Sequence, residues 1–467
     1  MQRANGATDI EPFRSPSVFA LGLFCLLGLL LRSSLAATNV SITQPISLAQ
    51  AVNLALTQNP NIRRAQKDLE ASQGVVIQTR AIAVPKLRIT GNYAAMEKSD
   101  VDRIVSTNFT FGTDETWQTQ VRLVQSLYEG GRIASSLRTA KLTRDQALLN
   151  YQTAVADAVL DVQIGYFDVL LAEQQIVVQE ASVDLLSREL ADTKQRFDAG
   201  TVPRFNVLRA EVELANARPR LIRARNAFRI AKNNLANLLG LDVPKEAWDD
   251  IPLPLSGKLE AAPYPIELPQ AIASALERRT ELGALRKAEA LRREDVVNAR
   301  AGYKPSLQAY AGYDAHNSIL KNDLSAELHG WIAGVQLSWD IFDGGLAYGK
   351  VRQARALQDK AEIELEDTGR RIELEVRTAF SNFREADEVL KSQEKAVEEG
   401  EEALRLAKAR NEAGTAPQLD VLSAQTALTE ARTTQVQALH DYAVARARLE
   451  RAAGASGSVK NVEALKR

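Results

Sequence analysis

The side chains best able to do chemistry are few and scattered. Histidine occurs three times, at His316, His329 and His440, each isolated from the others and none in the H-E-x-x-H spacing that puts two imidazoles on one helix face for zinc. Cys25 is the only cysteine and sits in an apolar run, so the chain has no C-x-x-C pair for metal or redox work. The glycines of "GASGS" (454 to 458) follow a helical pattern and lack the lysine of a phosphate loop. The acidic stretch "EKAVEEGEEALRLAKAR" (394 to 410) carries many carboxylates, but their spacing is that of a solvated helix face. No acid–base pair, metal set or cofactor cradle emerges. The expectation is a protein that is not an enzyme and carries no catalytic residue, metal or cofactor. With 58 basic against 59 acidic residues, no nucleic-acid partner is implied either.

The interest therefore lies in architecture. Aromatic residues make up only 6% of the 467, and the helix formers dominate, which points to long packed helices. Residues 17 to 31, "SVFALGLFCLLGLLL", form a short apolar run followed by Ser34 and Ala36 in a small-x-small pattern. This reads as a signal peptide over 1–36, with an uncleaved anchor as the alternative and the true start codon and cleavage site left open. No later apolar run approaches the ~20 residues of a spanning helix. A second membrane contact would have to use strands.

The chain is a tandem duplication. "ISLAQAVNLAL" (46 to 56) matches "IELPQAIASAL" (266 to 276) at an offset of 220, which also pairs Pro85 with Pro305 and Tyr93 with Tyr313. Beyond a loop that is six residues longer in the first copy, the offset becomes 214 and holds from Gly130/Gly344 to Gly240/Gly454. "RFDAGTVPRFNVLRAEVELA" (196 to 215) and "RNEAGTAPQLDVLSAQTALT" (410 to 429) agree at nine of twenty positions, too many for coincidence in a fixed register. The first repeat spans 37–241 and the second 266–454. A linker at 242–265 carries five of the fifteen prolines, and a tail follows at 455–467.

Each repeat reads as short helix, helix, strand, loop, strand, very long helix, turn and return helix. The hairpins fall at about 86–127 and 306–340, the long helices at about 132–197 and 346–411, and the turns at 198–205 and 412–419. Val155, Val159, Val162, Tyr166 and Val169 form a heptad seam, as do Val376, Phe380, Phe383 and Leu390. Such helices are ~100 Å long and require neighbours along their length. Pro219, opposite Thr433, is expected to kink the first return helix.

In "PKLRITGNY", Leu87, Ile89 and Tyr93 share one face against Lys86, Arg88, Thr90 and Asn92. In "WIAGVQLSW", Trp331, Val335, Leu337 and Trp339 oppose Gln336 and Ser338. One face meets apolar matter and the other water. A half-buried soluble sheet would also alternate. However, Trp331 and Trp339 lie ~26 Å apart along a strand, close to the ~25 Å apolar band of outer-membrane barrels with its aromatic girdles. Trp117, Tyr93 and Tyr313 join them as membrane-interface candidates. Pro85 and Pro305 are expected to end the incoming helices, and Gly130-Gly131 and Gly344-Gly345 to permit the return from strand to helix. Four strands cannot close a barrel in lipid, so other copies must complete it, and twelve strands from three copies leave room for a channel.

The duplicated unit, the spliced hairpins, the Gly-Gly exits and the A-G-T-x-x-x-x-[ND]-V-L turns together resemble the TolC-type outer-membrane efflux proteins, over nearly the whole of residues 46 to 454. That resemblance implies a mainly α fold with β: a homotrimer whose twelve-stranded outer-membrane β-barrel continues as a periplasmic α-helical barrel, with the linker and chain ends in an equatorial belt. It implies an exit duct for efflux or type I secretion, working with a periplasmic adaptor (a membrane fusion protein) and an inner-membrane transporter, and in contact with outer-membrane lipid. It implies that Gly200, Thr201, Gly414 and Thr415 lie at adaptor-contacting tips and that Asp420 rings the pore constriction. Ala416, Asn206 and Ser423 depart from the charged pattern of the family's latch. A periplasmic coiled-coil adaptor or structural tether would also explain the long helices, though not the paired tryptophans. Neither the cargo nor the identity of the pump is written in the sequence.

Overall fold

The computed structural model describes residues 45–96, 105–106, 109–110, 115–241, 251–317, 324 and 327–455. The expected leader with Cys25, the first part of the linker (242–250) and the tail beyond Ala455 lie outside the described residues. The first repeat runs α1 (Leu48–Gln58), α2 (Pro60–Arg80), β1 (Lys86–Ala95), a two-residue ribbon β2 (Val105–Ser106) and β3 (Phe109–Thr110), β4 (Glu115–Glu129), α3 (Arg132–Asp198) and α4 (Arg204–Leu239). The second runs α5 (Leu268–Arg278), α6 (Thr280–Arg300), β5 (Ser306–Asn317), β6 (Glu327–Ser338), α7 (Leu346–Glu412) and α8 (Gln418–Ala452). Both copies run helix, helix, strand, strand, long helix and return helix, with the β2–β3 ribbon added in the first.

The two long helices, α3 and α7, have 67 residues each. The seam read from the sequence is their packing line: Val155, Val159, Val162, Tyr166 and Val169 are all buried, as are Val376, Phe383 and Leu390. In both repeats the long helix packs against its return helix; α3 also packs against α2, α6 and α8, while α7 packs against α5 and α6. Helix α3 is therefore the element on which the two repeats meet. The linker is tied across both: the Tyr166 hydroxyl donates to the Ile46 carbonyl at 3.0 Å and accepts from the Gly257 amide at 3.0 Å. Ile46 and Leu255 form a parallel bridge, and the Tyr442 hydroxyl donates to the Ala262 carbonyl at 2.9 Å.

One detail differs from expectation. The incoming helices end at Arg80 and Arg300, five residues before Pro85 and Pro305, because each first tightens into a 3-10 turn, Ala81–Ala83 and Ala301–Tyr303. The prolines begin the strands instead. Helix α4 runs unbroken through Pro219.

The strands form one antiparallel sheet in the order β1-β4-β5-β6, so the two hairpins are joined by the β4–β5 pair and both outer edges carry no partner among the described residues. The registers Tyr93↔Trp117, Val121↔Tyr313 and Tyr313↔Trp331 line up one continuous face. On that face Leu87, Ile89, Tyr93, Trp331, Val335 and Leu337 are exposed. The opposite face is polar: Gln118 donates to Asp314 at 2.8 Å, and the Arg122 guanidinium lies 3.9 Å from the centre of the Tyr310 ring.

At the Gly-Gly joints φ is +65° and +100° at Gly130 and Gly131 and +67° and +88° at Gly344 and Gly345. They are not equivalent, however. β4 runs directly into Gly130, whereas β6 stops at Ser338 and five residues precede Gly344. There Asp343 accepts from the amides of Gly345 (2.9 Å) and Ala347 (2.6 Å), capping α7. A Cβ on Gly130 would sit 2.7 Å from the Ala301 carbonyl oxygen, against the second repeat. Gly130→Ala should therefore lose at least the ~1–2 kcal/mol of a left-handed non-glycine residue, read as a lower thermal midpoint by circular dichroism. An unchanged midpoint would mean the joint is looser than this contact.

Candidate functional site

Three regions could carry function: the apolar sheet face, the helical turns, and the seam where the repeats meet. On the sheet, Trp331 is 81% exposed and Trp339 56% exposed, part of an apolar face of the kind that meets a membrane or another protein. Trp339 lies one residue past β6 rather than within it, and its indole N–H donates to the Tyr303 carbonyl at 3.3 Å. Around it, Tyr128, Tyr303, Ile341 and Phe342 are also exposed. They make an aromatic rim at the helix-proximal end of the sheet that alternation alone could not reveal, since Tyr303 and Phe342 lie outside the strands. Tyr93, Trp117, Tyr313 and Trp331 lie nearer the other end, with Trp117 donating from its ring to the Leu324 carbonyl at 3.1 Å.

The turns between long and return helices are near copies. Gly200 has φ +74° and Gly414 φ +73°. In each, the glycine amide and the next amide reach back into the last helical turn: Gly200 to Phe197 (2.8 Å) and Thr201 to Arg196 (2.9 Å), Gly414 to Asn411 (2.9 Å) and Thr415 to Arg410 (2.9 Å). This double closure satisfies carbonyls that the helix end leaves open. The Thr201 and Thr415 hydroxyls donate to the Arg196 and Arg410 carbonyls at 2.8 and 3.0 Å, which explains threonine after both glycines. Pro203 and Pro417 are N-caps of the return helices. Phe205 and Leu419, at matched positions just beyond, are exposed apolar side chains. Asp420 lies in the first turn of α8 and is exposed, as is Ser423.

The seam holds what sequence reading missed. His440, taken as isolated, is buried on α8 between Asp168 of α3 (Nε2 to Oδ1, 2.8 Å) and Asp441 (Nδ1 to Oδ1, 3.0 Å). Burial alone would lower its pKa, but the two carboxylates outweigh it and hold it above the ordinary value of 6.5. Further along, Glu281 sits between Arg279 (2.9 Å) and Arg451 (2.5 Å), and Arg451 also pairs with Asp157 of α3 at 2.6 Å. Arg279 Nη1 stands 2.9 Å from Glu375, at ion-pair distance but without hydrogen-bond direction. Burial would raise the Glu281 carboxyl; hydrogen bonds from Arg279 and Arg451 bring it down to about 2. His316 is not isolated either, with Nδ1 2.9 Å from Asp314 on the polar face of the sheet. Among the described residues no cluster could hold a metal ion, and no helix is long and apolar enough to cross a membrane.

The family model for outer membrane efflux proteins matches residues 51–241 and again 271–455, one match per repeat. The chain belongs to the outer membrane efflux protein family. Outer membrane protein TolC of Vibrio cholerae is 25% identical over 412 residues, covering 87% of this chain and 90% of the relative. The cobalt-zinc-cadmium resistance protein CzcC of Cupriavidus metallidurans is 27% identical over 391 residues, covering 83% and 85%. The fold matches the Campylobacter jejuni CmeC outer membrane channel with a TM-score of 0.77 at 16% identity, over 90% of this chain and 88% of that one. As an outer membrane efflux protein with this TolC-like fold, the chain is an outer-membrane channel protein that extends into the periplasm.

Two pH dependences follow from the seam. His440 has a raised folded pKa, so its contribution is full below about 6.5 and is lost as pH rises through the folded value. Thermal stability should decline across that alkaline side, and His440→Asn should flatten the decline. Glu281, held down, contributes fully above its ordinary 4.5 and loses that contribution as pH falls toward about 2. Glu281→Gln should cost on the order of 3 kcal/mol at neutral pH and leave acid stability flatter over that window, checked by melting curves from pH 2 to 8.

Proposed function

We propose that three copies of this chain form a passive exit duct, joined through a periplasmic adaptor to an inner-membrane transporter, for efflux or type I secretion. The observation that carries the reading is the sheet: four strands with one apolar face and two open edges, spliced between helices of ~100 Å. An open edge in lipid leaves backbone groups unsatisfied at several kcal/mol each. Three copies, edge to edge, give a closed barrel of twelve strands wide enough for a channel. In it Tyr93, Trp117, Tyr313, Trp331 and Trp339 anchor the barrel at the lipid interfaces, and Pro85, Gly130, Gly131, Pro305, Gly344 and Gly345 make the splices from barrel to helix.

In the same reading Gly200, Thr201, Gly414 and Thr415 present the turns to the adaptor, with exposed Phe205 and Leu419 supplying apolar contact. Asp420, brought together threefold, makes a ring of carboxylates that favours cations. The chain has no catalytic role. CzcC is named for metal resistance and AprF for alkaline protease secretion, and in this reading the cargo of the duct is set by its partner transporter. A periplasmic tether is the weaker reading, since it leaves the exposed tryptophan face without an environment.

Electron-microscope class averages of the detergent-extracted protein should show threefold hollow particles. Solid rods or single chains would sink the trimeric duct. In planar bilayers Asp420→Asn should reduce cation over anion selectivity; an unchanged reversal potential would remove Asp420 from the constriction.

A further inference from the structure

A duplicated chain that closes into a ring has two kinds of seam between repeats: one inside each chain, and one from each chain to the next. The structure contains the first kind, and the duplication maps it onto the second, with offsets of 220 before the loop and 214 after it. Gly130 tests the mapping. It presses against Ala301 of the other repeat, while its counterpart Gly344 has the same backbone angle and nothing within 4 Å. The counterpart of Ala301 is Ala81, which in a ring belongs to the next copy.

The same holds for the helices. On α8 the stripe Val436, His440, Val444, Ala447 and Arg451 is buried. Its polar members reach α3, where His440 bonds Asp168 and Arg451 bonds Asp157. The matched stripe on α4 is Ile222, Asn226, Ile230, Asn233 and Asn237, every one of them exposed. Opposite it, α7 exposes Leu374 and Val389 beside an open groove of ≈ 910 Å³ shared with α8. The occupant that fits this groove is α4 of a second copy, because repeat for repeat it is the helix that α8 already represents inside the chain.

The two seams do not carry the same chemistry. Inside the chain, Arg138 holds Glu294 through two bonds (2.7 and 2.8 Å), Arg451 holds Asp157, and His440 holds Asp168. The mapped pairs are Arg352 with Gly74, Asn237 with Arg371, and Asn226 with Asn382. Toward the tips, Arg196 donates to Asn411 at 3.0 Å, whereas the mapped pair is Arg410 with Phe197. Only Lys287–Asp145 keeps its charges, as Lys67 with Asp359.

We propose that the chain-to-chain seam, α4 of one copy against α7 of the next, is an unclasped version of the in-chain seam, and that the helical ring widens along its three chain-to-chain seams while the in-chain seams stay closed. The proposal rests on the trimeric reading above. Charged hydrogen bonds are the stronger kind, and each mapped pair with Gly74, Asn237, Asn226 or Phe197 lacks the opposite charge that would close it.

The test uses the full chain, with Cys25 replaced by serine, and a short bis-maleimide. Asn226→Cys with Asn382→Cys should cross-link between chains into covalent dimers and trimers. Asp168→Cys with His440→Cys should cross-link within a chain, at monomer mass. In planar bilayers the first cross-link should cut large-conductance openings several-fold, and the second should leave them unchanged. Equal loss from both would overturn the inequality of the seams. Threefold particles without the 226–382 cross-link would overturn the mapping yet leave the duct standing; absence of threefold particles from the unsubstituted protein would overturn both. Should the cysteine chains fail to assemble, Asn226→His with Asn382→Asp installs the missing clasp. It should raise the temperature at which trimers dissociate and lower the frequency of openings; no change in either would overturn the proposal.

Discussion

Everything in this chain is conditioned by the backbone polar groups at the two edges of its sheet. In water an unpaired edge is tolerable; in hydrocarbon each unsatisfied amide or carbonyl costs several kcal/mol, so a sheet there must close on itself. Strands β1 and β6 end the sheet with no partner among the described residues, while the face between them is apolar from Leu87 to Leu337. A sheet that must be in lipid and cannot close alone requires copies of itself. The helices inherit that requirement, because α3 and α7 begin within a few residues of strand ends and are held in the same angular order.

Duplication makes that order possible. A single helix–hairpin–helix unit carries two edges and one groove on its long helix; two units joined by a linker bury one edge of each and fill one of the two grooves. Helix α3 has both of its flanks filled, by α2 and α4 of its own repeat and by α6 and α8 of the other. Helix α7 packs chiefly against its own repeat, with a contact to α3 near the turn through Asn411 and Arg196, and Leu346, Tyr348, Ile363 and Leu374 are left exposed along its length. The contrast between two helices of equal length and matched sequence is the clearest sign that the isolated chain is an unfinished object.

Much of this was legible in sequence because local geometry writes itself locally. Left-handed glycines, period-two alternation and a heptad of Val and Tyr each report on a few neighbouring residues, whereas Pro85 and Pro305, read as helix ends, precede the strands after a 3-10 turn. The seam chemistry was not legible. His440 and Asp168 are 272 residues apart, and Arg451 and Asp157 are 294 apart. Their meeting depends on the rotational phase of two long helices over many turns, where a small error in twist turns a side chain away. Trp339 was misplaced for a related reason: a strand end is set by where its partner's hydrogen bonds stop, and nothing in "QLSWDIF" marks that point.

Pro219 shows how an apparent conflict between local rule and fold is resolved. A proline inside a helix removes one backbone hydrogen bond, here to the Ala215 carbonyl, and crowds the preceding turn, at a cost of about 3 kcal/mol. Helix α4 nonetheless continues through it. Leu214, Ala217 and Ala224 are buried against the rest of the chain, while Ala215 and Pro219 are exposed. The packed side therefore sets the helix path, and the carbonyl that loses its partner lies on the side left exposed in the single chain. At the matched site on α8, Thr433 donates its hydroxyl to the Thr429 carbonyl at 2.8 Å, and the Thr429 hydroxyl reaches Ser182 of α3 at 3.4 Å. A proline there would leave the Thr429 carbonyl without its amide partner against a neighbouring helix rather than solvent. Ala215 and Pro219 continue the exposed stripe of α4 that includes Ile222 and Asn226, so in the trimeric reading the open carbonyl falls on the chain-to-chain seam that lacks the charged clasps, and the two repeats differ at this position without differing in fold.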